Sequence, residues 1–227
     1  MTKLSELDRE RLYNEIKLEK GNHPAGNAAC LMEMTALLAG EKHTDRPRCA
    51  CPVITSFAMR LNDGLPDDLR QMLKPYAPAF INTRDGHEKE RREYLALRAV
   101  NVFVPFWLRL TSKPELIAHA ERCEGARTLT EARKVVVEVR AAAYAAAYAA
   151  AAAAAYAADA AAYAADAAAA YAADAAYAAA AAAYAYRQKH LPALMPAILE
   201  TLDGLLLIGA KDRIVRQKGV VVLENAA

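Results

Sequence analysis

Residues 30–63 read CLMEMTALLAGEKHTDRPRCACPVITSFAMRLND, and this pattern decides the fold class. Apolar residues fill the first third almost without a break, Gly40 closes it, and Pro52 suits the first turn of a second helix that Gly64 ends. The stretch therefore predicts a helix over AACLMEMTALLA, capped by Asn27, then a polar loop, then a helix over PVITSFAMRLND. Glu33 interrupts the first helix, on the side shared by Cys30, Met34 and Leu37. A carboxylate there is either paired or functional, since burying it alone is costly or shifts its pKa.

The loop gathers Glu41, His43, Asp45, Arg46, Arg48, Cys49 and Cys51 into a short span. One reading is structural: Asp45 braces the loop, Glu33 bonds to Arg46, Arg48 or Arg60, and the cysteines are small buried apolar groups. The other is a ligand site built from Glu33, Asp45, Arg46 and Arg48. Cys30, His43, Cys49 and Cys51 have the chemistry of zinc ligands, but the CxC spacing is tight and no second pair accompanies it, so no metal is expected.

Outward from this segment, nearly everything reads as helix. Leu4, Leu7, Leu12 and Ile16 recur at helical spacing up to Gly21. A short helix follows Pro66, and a longer one runs from about His87 to Leu110 with a kink at Pro105. Another opens at Pro114 and breaks at Gly125. Pro192 and Pro196 mark a turn into a last apolar helix, ILETLDGLLLIG, and VVVLE near the end could form an edge strand without an evident partner.

From Thr130 to His190 there is neither glycine nor proline, and Thr128 with Glu131 has the spacing of a capping box. An unbroken helix of about 60 residues would be on the order of 90 Å long, against about 40 Å for a compact domain of this size. It must protrude, bend or pack on a partner. At about 100° per residue Tyr156, Tyr163 and Tyr171 fall with Asp159, Asp166 and Asp174 on one half of this helix, leaving a bare alanine half for close helix packing. The tyrosines fit either packing boundaries or a surface that stacks planar ligands.

The expected fold is all-α, a multi-helix bundle with one very long alanine-rich helix packed on other helices. Its expected parts are an N-terminal helical domain over 1–125, the long helix over 126–190 and a C-terminal helix and tail over 191–227. With 29 Lys+Arg against 27 Asp+Glu and a formal charge of +2, the chain lacks the basic excess of a phosphate-backbone binder, so nucleic acid is an unlikely partner. No secretory signal pattern opens the sequence, and the aspartates in the alanine tract argue against a membrane span, which together point to a cytoplasmic protein with free thiols.

The succession CLME, GEKHTDRP, CPVI and LND, with an aromatic-studded alanine helix downstream, resembles an uncharacterised group of actinobacterial and actinophage proteins. His43 departs from the group, which accepts other residues there, often aromatic. The resemblance implies a cytoplasmic setting and a GC-rich host or its virus; it implies no activity.

No Walker motif, glycine-rich phosphate loop or GxSxG elbow is present, which favours a non-enzymatic role. Arginine is nonetheless the preferred partner for phosphate, and Arg91 and Arg98 lie in a basic cluster on the fifth helix. The leading expectation is a helical binding protein that sequesters a nucleotide-like small molecule or occupies a host protein. The alternatives are a hydrolase or transferase using Glu33 and Asp45, and a structural homo-oligomer built on the alanine helix. The residues point to no particular cofactor. The expected ligand-binding set is Glu33, Asp45, Arg46, Arg48, Arg91, Arg98, Tyr156, Tyr163 and Tyr171.

Overall fold

Cys30 opens the central helix. In α1 (Leu31–Leu38) its Sγ accepts the Glu33 N–H at 3.3 Å, while the Glu33 carboxylate accepts the Cys30 N–H at 2.6 Å. This is a reciprocal capping box with cysteine in the place usually held by serine or threonine. It accounts for a carboxylate in an apolar run, and it moves the helix start past the expected Asn27. Gly40, at φ 72°, ends the helix: its N–H donates to Leu37 O at 3.0 Å and the Glu41 N–H to Ala36 O at 2.9 Å. Only a left-handed residue closes a helix this way.

The computed structural model describes residues 11, 13–21, 23–24, 28–110, 114–132, 134–135, 138, 169–210, 212–217 and 220–225. Residues 169–187 and the hairpin at the end, apart from Ile214 and Val221, are described for their backbone alone. The fold is mostly helical, with two small two-stranded sheets among the described residues. The chain divides into two units, Met1–Ala96 with Met195–Ala227, and Leu97–Leu194. These bounds differ from those read in the sequence, because the C-terminal segment joins the N-terminal one.

In the first unit α1 is buried on nearly every face, with Leu31, Met32, Met34 and Ala36 fully inside. α2 (Pro52–Gly64) packs on it and is one-sided: Ile54, Thr55, Ala58 and Asn62 are buried, while Pro52, Ser56, Arg60 and Asp63 face outward. Asn62 joins the two helices, its Oδ1 accepting the Leu31 N–H at 3.1 Å and its Nδ2 donating to Glu19 O at 2.8 Å. Arg70, on the short α3 (Asp67–Gln71), closes the end of α2 by donating to Asn62 O and Leu65 O, each at 2.6 Å. Both contacts satisfy helix-terminal groups that would otherwise be orphaned.

Two 3₁₀ turns follow, Lys74–Tyr76 and Pro78–Phe80, and then α4 (Glu88–Arg98). Arg91 is the polar keystone of the unit. Its guanidinium, 1% exposed, donates to both Asp85 oxygens at 2.5 and 2.7 Å, to Thr83 O at 2.8 Å, and to Leu205 O and Ile208 O at 3.0 and 2.7 Å.

Several expectations are corrected here. The first helix does not run to Gly21: residues 13–15 are helical, but β1 (Lys17–Leu18) pairs in parallel with β2 (Ala28–Ala29). The Gln71 amide bonds both Leu18 N and Leu18 O, at 3.1 and 2.7 Å, and burial of Ile16 and Leu18 overrides the local helical pattern. The expected kink at Pro105 is a π-helical turn, Ala99–Phe103, leading into α5 (Val104–Arg109). Proline's missing N–H is absorbed by widening the helix just before it.

Pro192 and Pro196 mark no turn either. α7 (Ala169–Leu207) runs through both, which are exposed, while Leu191, Leu194, Met195 and Ile198 are buried. The terminal VVVLE has a partner in its own neighbourhood: β3 (Asp212–Gln217) and β4 (Val220–Asn225) form an antiparallel hairpin with Gln217 opposite Val220. Tyr76 donates its hydroxyl to Leu199 O at 3.1 Å and to Asp203 Oδ1 at 2.7 Å, fixing α7 to the N-terminal segment. By length and composition Gln188–Leu207 could cross a membrane, and 44% of it is buried within the fold.

The second unit has its own small core. Val100, Cys123, Ala126, Ala132 and Val135 cluster between the π turn, α6 (Pro114–Glu124) and the following helix, with Leu97 and Val104 packed against them. The Thr128–Glu131 capping box forms as read in the sequence: Glu131 N–H to Thr128 Oγ1 at 3.2 Å, and Thr128 N–H to Glu131 Oε2 at 3.0 Å. The continuity of the helix over 130–190 and its alanine face fall on residues 141–168, outside the described ones.

Candidate functional site

The outward face of α2 is where the first unit opens. Its buried stripe of Ile54, Thr55, Ala58 and Asn62 packs on α1, and positions four residues apart put Pro52, Ser56 and Arg60 in a row along solvent. A groove of about 660 Å³ lies on one flank of this row, walled by Val53 and Phe57 of α2 and by Glu88, Arg92 and Leu95 of α4. A second, of about 470 Å³, lies on the other flank, among Lys20, Arg46, Met59, Asp63 and Gly64. The two share Ser56 and Arg60. Serine is the smallest side chain of the row, and it borders both the apolar groove and the cationic groove.

A third recess, of about 530 Å³, is formed by Glu41, Lys42, Thr44, Arg46 and Arg48, and meets the second groove at Arg46. The acids along this surface are turned to structural tasks. Glu41 accepts the Arg48 N–H at 2.7 Å and the Cys49 N–H at 2.8 Å, one on each oxygen. Asp63 accepts the Gly21 N–H at 3.0 Å. Burial acts to raise the Glu41 pKa, but the hydrogen bonds from Arg48 and Cys49 outweigh it and the carboxyl titrates below its ordinary value. Glu41, rather than the expected Asp45, braces the loop.

Glu33 holds the loop after Lys20 and the loop before Arg46. Its side chain is 0% exposed and accepts from His23 N at 3.1 Å, from Cys30 N at 2.6 Å and from His23 Nδ1 at 3.3 Å, with His43 Nε2 at 3.4 Å. His43 Nε2 also donates to His23 O at 2.6 Å, so that nitrogen carries the ring proton. Burial pushes the Glu33 pKa up, the hydrogen bonds from Cys30 and His23 and the charge of His43 push it down, and the net shift is downward. The expected arginine partners of Glu33 are replaced by histidines, since Arg46, Arg48 and Arg60 face solvent.

The expected site residues are thus dispersed. Arg46 and Arg48 line the recess together. Asp45 is half-buried in the same loop. Glu33 has no surface to offer a ligand, and its place in the expected set passes to a role in positioning the loops. Arg91 is interior with its donors used, which withdraws it from any binding surface. Arg98 belongs to the second unit. Tyr156 and Tyr163 lie outside the described residues, and Tyr171 lies in α7 with only its backbone described. Sequence reasoning missed His23, Lys20, Phe57 and Arg92 as part of this region and read Arg60 only as a partner of Glu33. The spacing of Ser56 and Arg60 opposite Ile54, Ala58 and Asn62 was the available signal for the groove face; His23 had none.

Among the described residues no three His, Cys, Asp or Glu side chains are grouped so as to hold a metal ion. Three thiols are not activated: burial foremost pushes Cys30 up to about 12 and Cys49 up to about 11, and raises Cys123 as well. Compared with protein-family models, curated proteins and solved structures, the chain matches none.

Proposed function

We propose that the protein is a non-enzymatic helical binding protein, a phage or actinobacterial accessory protein that sequesters a nucleotide-like small molecule. The observation that carries this reading is the pair of grooves sharing Ser56 and Arg60, one walled by Val53, Phe57 and Leu95, the other by Lys20 and Arg46. A planar apolar ring suits the first, and an anionic group suits the second, where arginine and lysine supply charge-assisted hydrogen bonds. Such a ligand lies across Ser56. The buried state of Glu33 and the raised thiols of Cys30, Cys49 and Cys123 support binding over catalysis.

Isothermal titration with adenine and guanine nucleotides tests the reading. Binding is expected in the wild type, with at least a tenfold loss in Arg60→Glu and in Phe57→Ala and an unchanged thermal melt in Arg60→Glu, whose residue is exposed. Ser56→Phe should block the crossing and abolish nucleotide binding. If no nucleotide binds to the wild type, or if Ser56→Phe binds as well as it does, the reading fails.

A further inference from the structure

We infer that the ligand is a nucleoside polyphosphate whose phosphate chain runs from Arg60 past Arg46 into the recess of Lys42 and Arg48. The inference rests on the reading above and deepens it. Arg46 lies on both the second groove and the recess, so the cationic lining does not stop where a single phosphate would end. Lys20, Arg60 and Arg46 line the second groove, and Arg46, Arg48 and Lys42 line the recess. A monophosphate would engage only the first part of this track.

The recess holds one acid, Glu41, whose oxygens accept the N–H groups of Arg48 and Cys49 and whose charge is outnumbered there by Lys42, Arg46 and Arg48. The same bonds make the recess a rigid part of the surface. Its loop is tied at Glu41, at His43 to His23 O, and at His43 to the buried Glu33. Cations on a braced loop lose less freedom when they meet phosphate than cations on a loose one, so the arrangement is prepared for an extended anion. Thr44 Oγ1, which accepts the Arg46 N–H at 3.1 Å, fixes the turn that carries Arg46.

The test compares adenosine mono- and triphosphate and inorganic tripolyphosphate by titration calorimetry at constant ionic strength, on the wild type and on the double variant Lys42→Ala/Arg48→Ala. Both changed residues are exposed, and an unchanged circular dichroism melt verifies the fold of the variant. The wild type should bind the triphosphate at least tenfold more tightly than the monophosphate, and the double variant should lose that advantage while binding the monophosphate as before. Equal affinity for mono- and triphosphate in the wild type, or an equal loss of both in the variant, overturns the polyphosphate inference and leaves the nucleotide reading standing. Tripolyphosphate binding as tightly as the nucleoside triphosphate overturns the nucleoside part of both. If none of the three binds, both are overturned.

Discussion

His43 Nε2 donates to the backbone carbonyl of His23 at 2.6 Å, joining two loops that are 20 residues apart in sequence. Lys20 sits just before one end of this link and Arg46 just after the other, and both line the same groove. Glu33 underneath receives both histidines, so a buried carboxylate fixes the geometry of a surface that it never reaches.

Glu33→Gln is therefore expected to weaken the fold without touching a ligand directly. The amide cannot accept on both sides, and the loss of a charge-assisted hydrogen bond should cost about 1–3 kcal/mol by urea denaturation. Because the folded-state pKa of Glu33 is depressed, its contribution is fully present above the ordinary carboxyl value of about 4 and is lost as the pH falls below that through the folded value. The wild type should lose stability over that acid window more steeply than the variant. Parallel pH profiles of the two would refute the assignment.

Arg91 carries the largest single polar load in the first unit. Arg91→Met removes the buried partner of a partly exposed Asp85 and leaves the Thr83, Leu205 and Ile208 carbonyls without their donor, which should cost about 1–3 kcal/mol. Arg91→Lys keeps the charge but not the fork, and should recover only a small part of the loss. A loss under about 1 kcal/mol for the methionine variant would contradict the clamp.

Gly204 lies under the Tyr94 phenol so closely that a Cβ there would overlap the hydroxyl and the ring. Alanine normally gains about 1 kcal/mol over glycine within a helix. Here Gly204→Ala should instead destabilise by about 1–3 kcal/mol through overpacking. In combination with Tyr94→Ala the penalty should shrink, since the ring that the methyl strikes is gone. Strict additivity of the two changes in thermal denaturation would rule out the contact.

The four cysteines are free, and Cys30, Cys51 and Cys123 are buried. With Cys30 pushed up to about 12 and Cys49 up to about 11, both remain thiols at pH 8. Iodoacetamide should label the native protein far more slowly than a small free thiol, and all four positions should react once urea unfolds the chain. Rapid native alkylation of Cys49 would show that its surroundings do not suppress the thiolate.

Sequence alone determined the elements whose signals are local. Pro52 and Gly64 bound α2 because proline fits a first helical turn and glycine ends one, and Thr128 with Glu131 forms its box because both partners lie within one turn. Gly40 closed α1 as read, through a motif contained in a few residues. Tertiary structure alone decided the rest. Whether Leu18 becomes strand depends on Gln71, 53 residues away, and whether α7 continues past Pro192 depends on which face is buried. The site followed the same rule: Arg46 and Arg48 were legible as exposed cations, but the meeting of Lys20 with Arg60, and of His23 with Glu33, exists only once the loops close over α1. Local backbone and cap energies are written in neighbouring residues, whereas burial is a property of the assembled chain, and burial chose which charge stayed outside and which became part of the frame.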